Sequence, residues 1–362
     1  MSTGTAPAAE FERRLLGMVG REYGPVYAWD EVNRPMIRHW CAATGNRHPA
    51  YLDPDSPAAR RHGGLVAPPT MLQVWLMPGL EGHPAPDSAE QGPEELMALL
   101  ARAGYTSSVG VNSEQEYRRY LRPGDRLHCV TTLAAISALK VTALGPGYFV
   151  TLALDMRDQD GETVGTMRFR QLVYQPAAAG QAATGDERQA RGAAPEGTGR
   201  RAPAVAPLAA RVAARAAPPA TSRSAPPPAM SRSAPPRVGD ALPELPIPVT
   251  LTGIIAGAIA TRDFHPVHHD VAAAQLLGMP TIFMNILTTN ACIERHVYEW
   301  AGDGAILESV SFKLGTPNFA GDLMTMSGSV RAVDAAGRVE LGLRGINARG
   351  THVDAVARLR LV

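Results

Sequence analysis

The stretch ATGNRHPAYLD begins at Ala43 and ATRDFHPVHHD at Ala260, and five of their eleven positions agree: Ala, Thr, His, Pro and Asp. A repeat at so long a spacing makes the chain a tandem of two related units. The likeness continues downstream. Residues 116–127 (EYRRYLRPGDRL) parallel residues 311–324 (SFKLGTPNFAGDLM), each with a Pro and a Gly-Asp turn ahead of an alternating stretch. LHCVTTLAAI, GYFVTLALDMRD and TVGTMRFRQLVY follow the first turn; LMTMSGSVRAV, RVELGLRGIN and HVDAVARLRLV follow the second. These runs predict strands, and DQDGET and DAAGRV between them predict hairpin turns. The common order is a short helix, the motif, a longer helix and an antiparallel meander. In the second copy the longer helix is expected over IFMNILTTNACIERHVYEW, where Ile282, Ile286, Thr289, Ile293 and Val297 recur at spacings of three and four. One helix wrapped by an antiparallel sheet is α+β architecture. A single such sheet leaves an edge and a face that a second copy can cover, so the tandem reads as a pseudo-dimer within one chain.

The copies are separated by a change of composition. From Pro176 onward the chain is almost all Ala, Pro, Gly, Arg and Ser, and SRSAPP occurs twice, at Ser222 and Ser231. Such a segment buries too little apolar surface to offset its ordering entropy. The expected domains are residues 8–175, a disordered linker at 176–240, and residues 241–362. Residues 176–237 hold nine Arg against Asp186, Glu187 and Glu196, a net +6. A solvated tether is the plain reading of that charge; contact with acidic surfaces or RNA is the other.

Over all 362 residues the net charge is +1, which gives no overall pull toward nucleic acid or membrane. No apolar run reaches the ~18 residues of a membrane span. The N-terminus lacks a basic start followed by an apolar block, so no secretory signal is expected. Cys41, Cys129 and Cys292 are isolated and form no CxxC pair. A sparse, odd count fits a reducing compartment, and a cytoplasmic protein is expected.

The motif RDFHPVHHD resembles the signature of MaoC-like (R)-specific enoyl-CoA hydratases of the hotdog fold. That signature, Asp, any residue, Asn, Pro, an aliphatic residue and His, falls on Asp263, Phe264, His265, Pro266, Val267 and His268, with His265 where the family has Asn. The longer stretch from Ile259 through IFMNILTTN is similar to the small catalytic subunit of actinobacterial hydratases that act on steroid side-chain CoA thioesters. HWCAATGNRHPAYLDPDSPAARRHGGLVAPPTM in the first copy resembles the MaoC-like domain of their larger subunit. The resemblance implies tandem hotdog domains and reversible addition of water across the 2,3-double bond of an enoyl-CoA, with no metal and no redox cofactor. The partner implied is the enoyl-CoA itself, with a bulky acyl group, and a homodimer of the two-domain chain is allowed for. Other readings are a dehydratase acting on acyl-carrier-protein thioesters, a hotdog thioesterase, and a non-catalytic thioester-binding protein.

Hydration needs a base for water, an acid for Cα and a donor to the thioester oxygen. Asp263 and His268, five apart around a Pro turn, can converge on one water, and the resemblance implies that pair as the catalytic dyad. A capped turn with a packed histidine is the structural alternative. In the first copy Asn46 and Tyr51 take those places, and neither transfers protons at neutral pH, so that copy reads as non-catalytic and as helping to shape the acyl pocket. A backbone amide at the start of the longer helix is the expected oxyanion donor; alignment on Pro280 puts it at Met284, with Asn285 next. His265 and Asn285 are expected to line the pocket. His265, His268 and His269 as metal ligands are the rival reading, weakened because adjacent side chains at 268 and 269 diverge.

Overall fold

The computed structural model describes residues 5–89, 92–176 and 235–361. Most of the expected linker lies outside the described residues. The first half contributes β1 (Glu22–Tyr27), β2 (Ser107–Tyr117), β3 (His128–Ile136), β4 (Lys140–Thr142), β5 (Gly145–Arg157) and β6 (Thr163–Tyr174). The second contributes β7 (Ala241–Pro248), β8 (Ala305–Leu314), β9 (Leu323–Val333), β10 (Arg338–Asn347) and β11 (Gly350–Leu361). They form one sheet in the order β1-β3-β5-β6-β2-β8-β11-β10-β9-β7, with β4 on β5. The second five strands repeat the first five in mirror order. The two halves join where β2 pairs antiparallel with β8, Ser113 opposite Phe312 and Gln115 opposite Val310. Each half thus covers an edge the other would leave open. This is a double hotdog, a pseudo-dimer in one chain.

Local chemistry fixes the hairpins. The Asp158 carboxylate accepts from the N–H groups of Asp160 and Glu162 between β5 and β6. Asp334 does the same for Ala336 and Arg338 between β9 and β10. Gly161 and Gly337 adopt the left-handed conformation (φ +82° and +76°) that closes each turn. Strand β7 was not legible from its sequence, because Pro243, Pro246 and Pro248 interrupt it. It sits at the sheet's end beside β9 alone, where prolines are tolerated.

The helices are α1 (Thr5–Leu16), α2 (Arg34–Thr44), α3 (Pro49–Leu52), α4 (Pro57–Arg61), α5 (Glu94–Arg102), α6 (Leu251–Ala260), α7 (Val271–Leu276) and α8 (Ile286–Ala301). Helices α2 and α6 precede the two motifs and pack against each other. Helix α8 is the central helix of the second half. It starts at Ile286 rather than Ile282, because the Asn285 carboxamide accepts from Thr288 N–H and caps it there. Thirteen of its sixteen residues are buried, so the expected one-sided stripe became a helix enclosed by both halves.

Among its described residues the first half has no equivalent of α8. Two single 3-10 turns, Pro69–Met71 and Val74–Leu76, stand at its start, and α5 follows only after an irregular stretch. Pro78, Gly79, Gly82, Pro84, Pro86 and Pro93 explain the break, since each weakens or stops a helix. Helices α1 and α5 cover a smaller core of Leu15, Met18, Leu96, Leu100, Leu133 and Val150. The main core runs through both halves, from Trp40 and Tyr51 to Ile293, Leu341 and Leu359. Among the described residues no helix is long and apolar enough to cross a membrane.

Candidate active site

The two motifs fold alike. Helix α2 ends at Gly45 (φ +70°) and α6 ends with Arg262 in the same left-handed conformation (φ +56°). A non-glycine residue there is unusual, and Arg262 directly precedes Asp263. Asn46 then accepts from His48 N–H at 3.0 Å, and Asp263 faces His265 N–H at 3.5 Å. Pro49 and Pro266 each open a short helical turn, because proline's fixed φ suits the first helical position and no N–H is needed there. The turn delivers Tyr51 in one copy and His268 in the other.

In the second copy this brings Asp263 and His268 together. His268 Nε2 lies 3.6 Å from Asp263 Oδ2. The other ring nitrogen, Nδ1, is 2.8 Å from the Phe283 carbonyl oxygen, an acceptor only, so Nδ1 carries the proton and donates. Nε2 is therefore left as a bare lone pair facing a carboxylate. Burial pushes the His268 pKa below its ordinary value, against the opposing pull of Asp263 and the Phe283 carbonyl. The neutral, basic form is the one present at pH 7.

Asn285 holds the carboxylate. Its Nδ2 donates to Asp263 Oδ2 at 3.0 Å and to Thr261 Oγ1 at 2.8 Å, while its Oδ1 caps α8. One side chain thus ties the turn that carries Asp263 and His268 to the central helix. This corrects its expected place as a pocket-lining residue: Asn285 is buried, and its polar atoms are committed to Asp263, Thr261 and the cap. The expectation for Met284 is also corrected. Its N–H donates to the Asn318 carbonyl at 2.9 Å and is not free for an oxyanion. The N–H groups of Asn285, Ile286 and Leu287 have no acceptor among the described residues.

His265 is exposed, its ring centroid 6.1 Å from that of His268. His269 is also exposed and bonds the Phe264 carbonyl through Nε2 at 3.0 Å. His268 and His269 bond different carbonyls, those of Phe283 and Phe264. Among the described residues no three His, Cys, Asp or Glu side chains form a metal-holding group.

A small cavity, partly open to solvent, lies beside the start of α8. Ile286, Leu287, Asn290 and Phe312 line it from the second half. Gln73, between the two 3-10 turns, and Ser113, Gln115, Met167 and Phe169 line it from the first. Four of these nine side chains are polar.

The first copy's motif is closed. Tyr51 and Asn46 are buried, and Asn46 Nδ2 donates to Glu294 Oε1 at 3.1 Å. Glu294 lies on α8 of the other half and also meets Thr70 through its backbone N–H and its hydroxyl. Asn46 and Tyr51 therefore do not shape the cavity; strands β2 and β6 do. Sequence reasoning missed Glu294, because a lone Glu in an apolar helix looks like an exposed position. Asn46→Ala and Tyr51→Phe are expected to change turnover by less than about tenfold, although Asn46→Ala also removes a buried hydrogen bond, at about 1–2 kcal/mol of stability. Steady-state rates beside melting curves check this; a loss as deep as that from altering Asp263 would make the first copy catalytic.

The FAS1-like dehydratase domain region matches residues 17–167. A probable enoyl-CoA hydratase alpha subunit from Thermomonospora curvata is 45% identical over 168 residues, 46% of this chain and 53% of that protein. The beta subunit of a 3-oxo-4,17-pregnadiene-20-carboxyl-CoA hydratase from Mycobacterium tuberculosis is 42% identical over 124 residues, 34% of this chain and 95% of that subunit. The chain spans about half the length of the alpha-subunit relatives it matches. A solved MaoC-like dehydratase shares the fold with a TM-score of 0.65 at 20% identity, covering 96% of this chain and all of that one. With a near-complete match to one hydratase subunit and the doubled sheet on the page, this chain belongs to the MaoC-like hotdog dehydratase family.

Proposed function

We propose that this chain is an enoyl-CoA hydratase/3-hydroxyacyl-CoA dehydratase whose reaction centre is Asp263 and His268. The observation that carries the reading is the bare Nε2 of a neutral His268 set 3.6 Å from the Asp263 carboxylate. A water between them can donate one hydrogen to each acceptor and keep a lone pair for C3 of the enoyl thioester. As the O–C3 bond forms, the O–H bond breaks toward Nε2 and charge moves to the thioester oxygen. The resulting imidazolium is stabilised by Asp263, and the Nε2 proton then passes to C2, so one water is added overall. The uncommitted N–H groups of Ile286 and Leu287 at the helix start are the donors for the thioester oxygen, in place of Met284. No metal or redox group takes part in this scheme.

The names of the relatives support a CoA thioester substrate, and one names a steroid-derived acyl group. We take a bulky acyl-CoA as the substrate, with the broken first-half helix giving it room. Buried free thiols at Cys41, Cys129 and Cys292 suit a cytoplasmic enzyme. The test is a panel of enoyl-CoA esters, steroid side-chain esters included, beside one acyl chain carried on acyl carrier protein. Products are read by mass spectrometry, and gain of one water on CoA esters is expected. Preference for the carrier-protein ester would make it an assembly-line dehydratase; free thiol without water gain would make it a thioesterase. Because protonating His268 removes the base, kcat/KM should fall on the acid side with a midpoint below the ordinary histidine value.

A further inference from the structure

Asn290, which lines the cavity beside α8, carries a buried acceptor that no group among the described residues satisfies. Asn290 is 2% exposed and its Oδ1 has no hydrogen-bond partner. Its Nδ2 is committed, donating to Gln115 Oε1 at 3.1 Å. The Tyr117 hydroxyl donates to the same oxygen at 2.8 Å, and Gln115 Nε2 faces Met167 Sδ, an acceptor only, at 3.6 Å, which orients the Gln115 amide and with it that of Asn290. Gln115 Nε2 in turn donates to Ser113 Oγ at 3.3 Å. The network thus orients Asn290 and leaves its carbonyl oxygen over. Asn290, Ile286 and Leu287 share one face of α8, being three and four residues apart, and all three line the cavity. Asn290 stands five residues beyond the cap that holds Asp263, about 7–8 Å along the helix.

A buried acceptor left unpaired is costly, and a ligand group that supplies a donor there is selected for. Resting on the hydratase reading above, we infer that the preferred acyl group carries a hydroxyl several carbons beyond its double bond, and that Asn290 Oδ1 accepts its hydrogen bond. Asn290 is then a specificity-determining residue. A purely hydrocarbon tail would fill the same space and leave the oxygen unpaired.

The probes are trans-2-octenoyl-CoA and 8-hydroxy-trans-2-octenoyl-CoA, whose terminal oxygen sits at about the required reach. For the unaltered chain, kcat/KM for the hydroxy ester should exceed that for the plain ester by about tenfold or more. Asn290→Leu should bring that ratio to near one. Equal turnover of the two esters by the unaltered chain overturns the inference and leaves the hydratase reading standing. An undiminished preference in a folded Asn290→Leu overturns the role of Asn290. Turnover of neither ester, or of both equally by Asp263→Asn, removes the hydratase reading and this inference with it. The comparison within the unaltered chain needs no variant, so poor folding of Asn290→Leu does not spoil the test.

Discussion

Asp263→Asn and His268→Ala should each lower hydration by roughly 10²–10⁴-fold, the usual loss when a general acid–base group is removed. The two losses have different origins. His268→Ala deletes the lone pair that takes the water's proton. Asp263→Asn leaves that lone pair but replaces the charge that stabilises the imidazolium, and it places an amide where Asn285 Nδ2 donates to a carboxylate. Because both residues act on one water, the double variant should be little worse than the worse single one. Stopped assays with an enoyl-CoA ester, beside circular dichroism to confirm the fold, decide it. Near-full activity in either folded variant would remove that residue from the chemistry.

The second large effect concerns stability. Glu294 is fully buried, and its carboxyl is pushed up to about 7 by that burial, against the opposing help of Thr70 and Asn46. Below the unfolded value of 4.5 it is neutral in both states. As pH rises from there, the unfolded chain ionises while the folded chain resists, so stability falls until about pH 7 and then levels off. The gap amounts to about 3 kcal/mol. Between pH 5 and 8 the protein should lose about 2–3 kcal/mol more than Glu294→Gln does, as read by denaturant unfolding at each pH. Parallel pH curves for the two proteins would show that Glu294 does not titrate in this window.

Why carry such a residue? Glu294 occupies the hydrogen-bonding positions of the first copy's motif, on Asn46 and Thr70, from the other half's helix. It closes a position that the repeat would otherwise leave as a polar hollow in a shared core. The cost in stability at neutral pH follows from that closure.

Several elements were legible in the sequence because their causes are local. Strands β6, β9 and β10 coincide with the runs TVGTMRFRQLVY, LMTMSGSVRAV and RVELGLRGIN, since alternation and an Asp-led turn act over a few residues. The motif positions were legible through the resemblance to the MaoC-like signature, whose Pro turn puts Asp263 and His268 five residues apart. What failed depends on breaks that the repeat masked or on partners distant in sequence. The first half's helix is broken by its own prolines and glycines, but the repeat suggested it should be whole. Met284 was placed by alignment on Pro280, yet its N–H is taken by Asn318, more than thirty residues away. Asn285 looked like a pocket residue because nothing nearby in sequence shows that Asp263 needs a second holder. Glu294 and Asn290 acquire meaning only from Asn46, Thr70 and Gln115, each more than 170 residues distant.

The central claim is that Asp263 and His268 add water to an enoyl-CoA. Its most direct test is incubation of a turned-over enoyl-CoA ester in heavy-oxygen water, with the product's hydroxyl located by tandem mass spectrometry. The account predicts one heavy oxygen at C3 with the thioester intact, and none above background with Asp263→Asn or His268→Ala. Heavy oxygen in a released carboxylic acid, or equal labelling at C3 by a folded Asp263→Asn, would contradict it.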